Sequence, residues 1–133
     1  MSNSSTGGNR EFQVSTSSGN YDLYADIIML GDDMLVAVWG GEKPHIGAVA
    51  MAQPRPSLKD ASELSATASV FTYVGHKEDE LAKLASETIS KKLNKKVVVT
   101  AGMHWDDISE SGILQVIENS EIIIKLIVQK ADM

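Results

Sequence analysis

His45, His76 and His104 are the three histidines of this 133-residue chain, and each stands in a glycine-bearing segment beside an expected strand. The segments are Gly40-Gly41-Glu42-Lys43-Pro44-His45-Ile46-Gly47, Gly75-His76-Lys77-Glu78-Asp79 and Gly102-Met103-His104-Trp105-Asp106. Strand ends are where ligands usually sit in mixed α/β proteins. Imidazoles placed there suit three chemistries: anion binding, metal ligation and hydrolysis. For anion binding, Gly75 lets backbone come close to a ligand, and a helix starting near Glu78 presents unpaired amides. With Lys77, His76 and His45 these make a cradle for phosphate. Three neutral imidazoles would also suit zinc, copper or iron, but no HExxH or other close pair supports a metal. Hydrolysis has least behind it. Ser69 lacks a nucleophile-elbow pattern, and Asp106 and Asp107 read as caps or orienting groups for the His104 loop.

Plainer readings compete at every position. A single histidine at a strand-to-helix junction suits a cap or the surface, and Gly40-Gly41 and Gly75 suit ordinary turns. Trp39 and Trp105 read as core or interface anchors, the six methionines as packing, and Lys91 to Lys96 as a solvated helix end.

These residues must be positioned by a small fold. A mass of 14.3 kDa and 43% hydrophobic residues give one globular domain, expected over residues 10–133 after a disordered Ser/Asn/Gly tail at 1–9. A formal net charge of −6, with no Lys/Arg stripe between aromatics, argues against nucleic acid. Zero cysteines exclude disulfides and thiolate metal sites. No apolar run long enough for a bilayer and no signal-peptide pattern occur, so the expected setting is soluble and cytoplasmic.

Alternation of apolar and polar residues predicts strands from Phe12, over Tyr21–Leu30, Met34–Trp39, Gly47–Ala52 and Thr67–Val74. Gln53–Ser65 reads as irregular, with one short helical turn over Leu58–Leu64. Leu81, Leu84, Ala85, Ile89 and Leu93 form a helical stripe, with acids at its start and lysines at its end. Val97–Ala101 is a strand by its β-branched residues. Ser109 caps a helix over Glu110–Glu118. Glu121–Lys130 has strand propensity, but Ile123, Ile124, Ile127 and Val128 make a helical stripe, so helix is expected. The fold class is α+β, a mostly antiparallel sheet of about six strands with helices packed on it. If neighbouring strands run antiparallel and Thr67–Val74, helix and Val97–Ala101 form a βαβ unit, all three histidines meet at one sheet edge, and Pro54 goes to the other.

At these same segments the chain resembles a known family. Gly40 to Ala50, the serine/threonine strand Ser65 to Ser69, Gly75-His76-Lys77 and Ala101-Gly102-Met103-His104 with Asp106 and Ile108 look like the LpdD-like proteins. These are the small D subunits that accompany bacterial gallate-type decarboxylases, and the likeness covers about Phe12 to Val128. The resemblance implies a non-catalytic chaperone that binds prenylated FMN and supports maturation of a UbiD-type decarboxylase of gallate, protocatechuate or a similar phenolic acid, within aromatic-compound and tannin degradation. It implies a homodimer, the decarboxylase large subunit and a flavin prenyltransferase as partners, and a fold similar to proteasome-assembly chaperones. Carried onto this sequence, the cofactor contacts are Gly41, Pro44, His45, Ser69, His76, Lys77 and His104. No catalytic or metal-binding residue is implied. The alternatives are a purely structural subunit that stabilises the decarboxylase, and a three-histidine metal enzyme.

Overall fold

The computed structural model describes residues 9–73 and 78–133. Six strands and two helices follow in the order β1 (Asn9–Ser15), β2 (Leu23–Leu30), β3 (Asp33–Gly41), β4 (Ala48–Pro56), β5 (Leu64–Thr72), α1 (Asp79–Leu93), β6 (Val97–His104) and α2 (Glu110–Ala131). The strands form one sheet in the order β1-β2-β3-β6-β4-β5. Every pair is antiparallel except β3 with β6. The last strand thus inserts between β3 and β4, which run in opposite directions but do not touch. β5 and β6 run the same way with β4 between them.

Alternation explains the two faces of this sheet. Leu23, Ala25 and Ile27 of β2, Val36 and Val38 of β3, and Val97, Val99 and Ala101 of β6 are buried, and the register brings them onto one face. Ala85 and Ile89 of α1 and Ile123, Ile124 and Ile127 of α2 close over it. Each large aliphatic side chain removed from water there contributes about 1.5–3 kcal/mol. Ala48, Ala50, Ala82 and Ala101 form a second, smaller cluster, and their short side chains let α1 lie close to β4.

Helix ends follow local chemistry. Ser109 caps α2, its hydroxyl accepting from the Gly112 N–H at 3.0 Å. Asn94 ends α1 in the left-handed region, with φ 54°. The expected helix over Glu121–Lys130 is present as the second half of α2. Its buried isoleucines lie at i, i+1 and i+4, and burial of that stripe outweighs their strand propensity.

The Gln53–Ser65 stretch differs from expectation. β4 pairs with β6 only over Ala48–Ala52 and continues beside β5 to Pro56. Past Ala52 one edge of β4 carries no partner strand, so Pro54 and Pro56 fit there without a broken ladder. No helix forms over 58–64, only one turn closed by the Glu63 N–H to the Asp60 carbonyl at 3.0 Å. The Ser57 N–H bonds the Glu63 carbonyl at 2.8 Å, while Asp60 accepts from the Ser62 N–H at 3.0 Å and hydroxyl at 2.7 Å. The side chain of Asp60 bends the chain into a tight hairpin loop instead. Residues 1–8 of the expected tail lie outside those described, whereas Asn9 pairs with Leu30 and begins β1.

Candidate functional site

Strands β3 and β6 run further than their apolar runs suggest, so Gly41 and His104 occupy the last rung of the parallel ladder, opposite each other. From there residues 42–47 cross over the end of β6 to reach β4. Glycines permit this crossing. A Cβ on Gly102 would collide with the His45 carbonyl, and one on Gly41, at φ 83°, would collide with the backbone of His104. The crossing is pinned by the Glu42 N–H to the His104 carbonyl at 2.8 Å and the Gly47 N–H to the Ala101 carbonyl at 2.9 Å. A Cβ on Gly47 would meet the Glu78 carboxylate, so this third glycine admits the start of α1 to the same place.

His45 and Glu78 meet there. The imidazole Nε2 lies 2.8 Å from Glu78 Oε2, with the two side chains 24% and 10% exposed. His45 Nδ1 lies 2.8 Å from the Lys43 carbonyl, which can only accept. Glu78 Oε2 also accepts from the Met103 N–H at 3.1 Å. Both ring nitrogens therefore lie beside oxygen acceptors. Glu78 heads α1 yet gives that helix no side-chain cap, because its carboxylate is committed to His45 and β6.

A second cluster lies beside the first. His104 Nε2 is 2.9 Å from Asp106 Oδ1, and Lys43 Nζ is 3.8 Å from the same oxygen. The hydrogen bond from His104, then the charge of Lys43, hold the Asp106 carboxyl below the usual carboxylate range. Glu42 closes the group by accepting from the Asp106 N–H at 2.8 Å.

Between these polar groups and α2 opens a cleft of about 840 Å³, lined by Lys43, His45, Glu78 and His104 at one pole. Its other pole is apolar: Met103, Trp105 and Ile108, then Ile113, Val116 and Ile117 of α2. The last three stand at i, i+3 and i+4, one face of a helix. Trp105 is held edge-on to Tyr21, with ring centroids 5.4 Å apart at 71°.

The Tyr21 loop is anchored from α2 by Asn119, which is fully buried. Its amide donates to the Tyr21 carbonyl at 2.7 Å and to the Asn20 carbonyl at 3.2 Å. The same loop is gathered by Asp22, which accepts from the Thr16 hydroxyl at 2.7 Å and the Ser18 N–H at 2.9 Å. These bonds, the Thr16 one foremost, lower the Asp22 pKa. They also hold Tyr21 at φ 57°, a conformation that costs a bulky residue about 1–3 kcal/mol.

The expected site residues divide accordingly. His45 and His104 line the cleft, and Gly41 shapes it from below. Pro44 lies exposed in the crossing between Lys43 and His45. Ser69 is elsewhere: it pairs with Met51 in the middle of β5, on the face opposite the core alanines of β4, and does not line the cleft. His76 and Lys77, with Gly75, lie outside the described residues. By residue type Glu78 is only a helix-start acid, and neither Lys43 nor the α2 wall stands out; the Ile113, Val116, Ile117 spacing is the available signal for that wall. Among the described residues no group of three or more His, Asp or Glu side chains is arranged to hold a metal ion, and no helix is long and apolar enough to cross a membrane.

Comparison with known proteins agrees with this architecture. The chain is 28% identical over 100 residues to Protein LpdD of Lactiplantibacillus plantarum (strain ATCC BAA-793 / NCIMB 8826 / WCFS1), covering 74% of this chain and 68% of that protein. Its fold is similar to a chain in the crystal structure of a novel chaperone complex for yeast 20S proteasome assembly. That match has a TM-score of 0.56 at 16% identity and covers 93% of this chain and 95% of the other. The model of the prenylated flavin chaperone LpdD-like domain matches residues 17–132, so the chain belongs to that family of chaperones.

Proposed function

We propose that this chain is a non-catalytic chaperone that holds prenylated FMN in the cleft between the end of β6 and α2, for a UbiD-type phenolic-acid decarboxylase. The observation that carries the reading is the division of the cleft into two poles. A modified flavin has an anionic phosphate and a broad apolar ring system, and so needs cationic donors at one end and apolar walls at the other. Lys43 supplies the first, with His104 lining the same pole; Trp105, Ile108, Ile113, Val116 and Ile117 supply the second. A cleft of about 840 Å³ falls within the usual range for cofactor-sized ligands. His45 has a positioning part, because Glu78 already takes its Nε2. The contacts that the resemblance implies for His76 and Lys77 belong to the same proposal. Bound cofactor would supply the ring chemistry that the decarboxylase uses; this chain's residues bind and orient it.

The same reading includes a homodimer in the cytoplasm, with a flavin prenyltransferase as the source of the cofactor. Support comes from the sheet face opposite the helices. It presents Leu35, Trp39, Val49, Met51, Val98 and Phe71, and no described element lies over it. Met51 and Phe71 are 62% and 64% exposed, and two such faces can stack as a sandwich.

The test is anaerobic purification of the chain after incubation with FMN and a flavin prenyltransferase, followed by removal of small molecules. Stoichiometric flavin that is lost on replacing Lys43 and His104 by Ala supports the reading. Absence of flavin, with no effect on activation of the decarboxylase, refutes it. Full activation by a variant that retains no flavin favours a purely structural subunit.

A further inference from the structure

The N-terminal half of α2 presents two adjoining faces. Ile113, Val116 and Ile117 turn to the cleft. One helical step around, Glu110, Leu114, Glu118 and Glu121 follow at i, i+4, i+8 and i+11, a single outward stripe. Leu114 is 67% exposed in the middle of it, beside Ile117 at 54% and Ile113 at 46%. Apolar side chains so exposed on a helix that also walls a cavity are costly in solvent.

Charge around this patch is one-sided. Residues 106–121 contain Asp106, Asp107, Glu110, Glu118 and Glu121 and no Lys or Arg. Asp106 is engaged with His104 and Lys43, and Gln115 reaches Glu118 at 3.4 Å. Asp107, Glu110 and Glu121 lie exposed. An apolar centre ringed by one sign of charge describes a docking surface for a partner with the opposite ring.

We propose that this outer stripe of α2, centred on Leu114 and its flanking glutamates, docks the protein that receives the cleft's ligand, through apolar side chains ringed by Lys and Arg at that partner's own ligand entrance. Position selects this occupant. The patch borders the mouth of the cleft, so a partner seated on it faces the ligand across one helix, and the ligand can pass without crossing bulk water. An acidic rim would also discourage premature capture of free anionic cofactor on the outside of the helix. This inference rests on the proposed ligand-holding role for the identity of the partner, and on geometry alone for the surface.

Purified flavin-free UbiD-type decarboxylase is the probe, with binding to the full, flavin-free chain measured by titration at low and high salt. Leu114→Arg is expected to weaken binding by about tenfold or more. The pair Glu118→Lys and Glu121→Lys is expected to weaken it and flatten its salt dependence. These side chains are outside the cleft, so flavin retention and the chain's own mass in solution should not change. Wild-type affinity in both variants overturns the proposal, as does wild-type chain that fails to bind the decarboxylase. A changed solution mass in Leu114→Arg also overturns it, by showing a second copy on the face. A chain that binds the decarboxylase through α2 but retains no flavin sinks the ligand-holding role and leaves the surface standing. Flavin retention with α2 variants that bind normally sinks only the surface.

Discussion

Replacing Glu78 by Ala should loosen the whole rim, and a double-mutant cycle with His45→Ala isolates why. Glu78 makes two interactions with described residues, to His45 Nε2 at 2.8 Å and from the Met103 N–H at 3.1 Å. An N–H bond to a carboxylate contributes about 1.5–3 kcal/mol net, a buried N–H left without an acceptor costs about 1–3 kcal/mol, and a partly exposed ion pair adds about 1 kcal/mol. The side chains are 24% and 10% exposed, so some of the charge term is lost to solvent screening. The single variant should therefore lose about 3 kcal/mol. The Met103 term is present in both arms that lack Glu78 and cancels from the cycle, which leaves a His45–Glu78 coupling of about 1 kcal/mol. Urea unfolding followed by tryptophan fluorescence reads both quantities. With an m-value of about 2 kcal/mol/M, the Glu78→Ala midpoint should fall by about 1.5 M. Coupling below about 0.5 kcal/mol would show that the pair is incidental and that glycine packing alone holds the 42–47 crossing.

Three further outcomes follow from the same geometry. Asn119→Ala should destabilise by about 2–4 kcal/mol in denaturant unfolding, because the buried Tyr21 and Asn20 carbonyls lose their donor. Gly102→Ala should cost about 2 kcal/mol or more and displace residues 42–47, seen as shifted amide resonances for Gly47 and His104, because its methyl group would fall on the His45 carbonyl. The Asp22 pKa is lowered in the folded chain, chiefly by the Thr16 hydroxyl, so its contribution is full above the unfolded carboxylate value. That contribution disappears as pH falls through the lower folded value. Acid unfolding monitored by circular dichroism should thus be less steep in Asp22→Asn, with stability already reduced at neutral pH.

Much of this was legible in the residues, for identifiable reasons. Strand alternation and the α1 stripe are local signals, and they gave the element order correctly. Direction alone carried His45 and His104 to one edge: β4 starts where β3 and β6 end, whichever strands are neighbours. The neighbours themselves were not legible. The β3–β6 ladder joins residues some 60 apart, and nothing local marks Val97–Val99 as the strand that intervenes. Ser69 shows the same limit in one residue. Its face depends on register, and a slip of one position would turn it to the other side. Glu78 was hidden because a carboxylate at a helix start usually serves that helix, and only tertiary placement turned it to His45. Pro54 and Pro56 suggested a break; the unpaired edge of β4 that accommodates them exists only once β6 has been placed.

The proposed flavin site is the cleft walled by Trp105. Trp39 and Trp105 are the two tryptophans of the chain, and Trp39 stacks on Tyr24 and bonds Asp26 on the other side of the sheet. Trp39→Phe therefore leaves Trp105 as the sole tryptophan reporter. Anaerobic titration of this variant with prenylated FMN should quench its fluorescence saturably, with the curve shifted to higher concentration by Lys43→Ala or His104→Ala. An unquenched Trp105, alongside equal quenching of Trp39 in the Trp105→Phe variant, would place the flavin elsewhere and contradict the account.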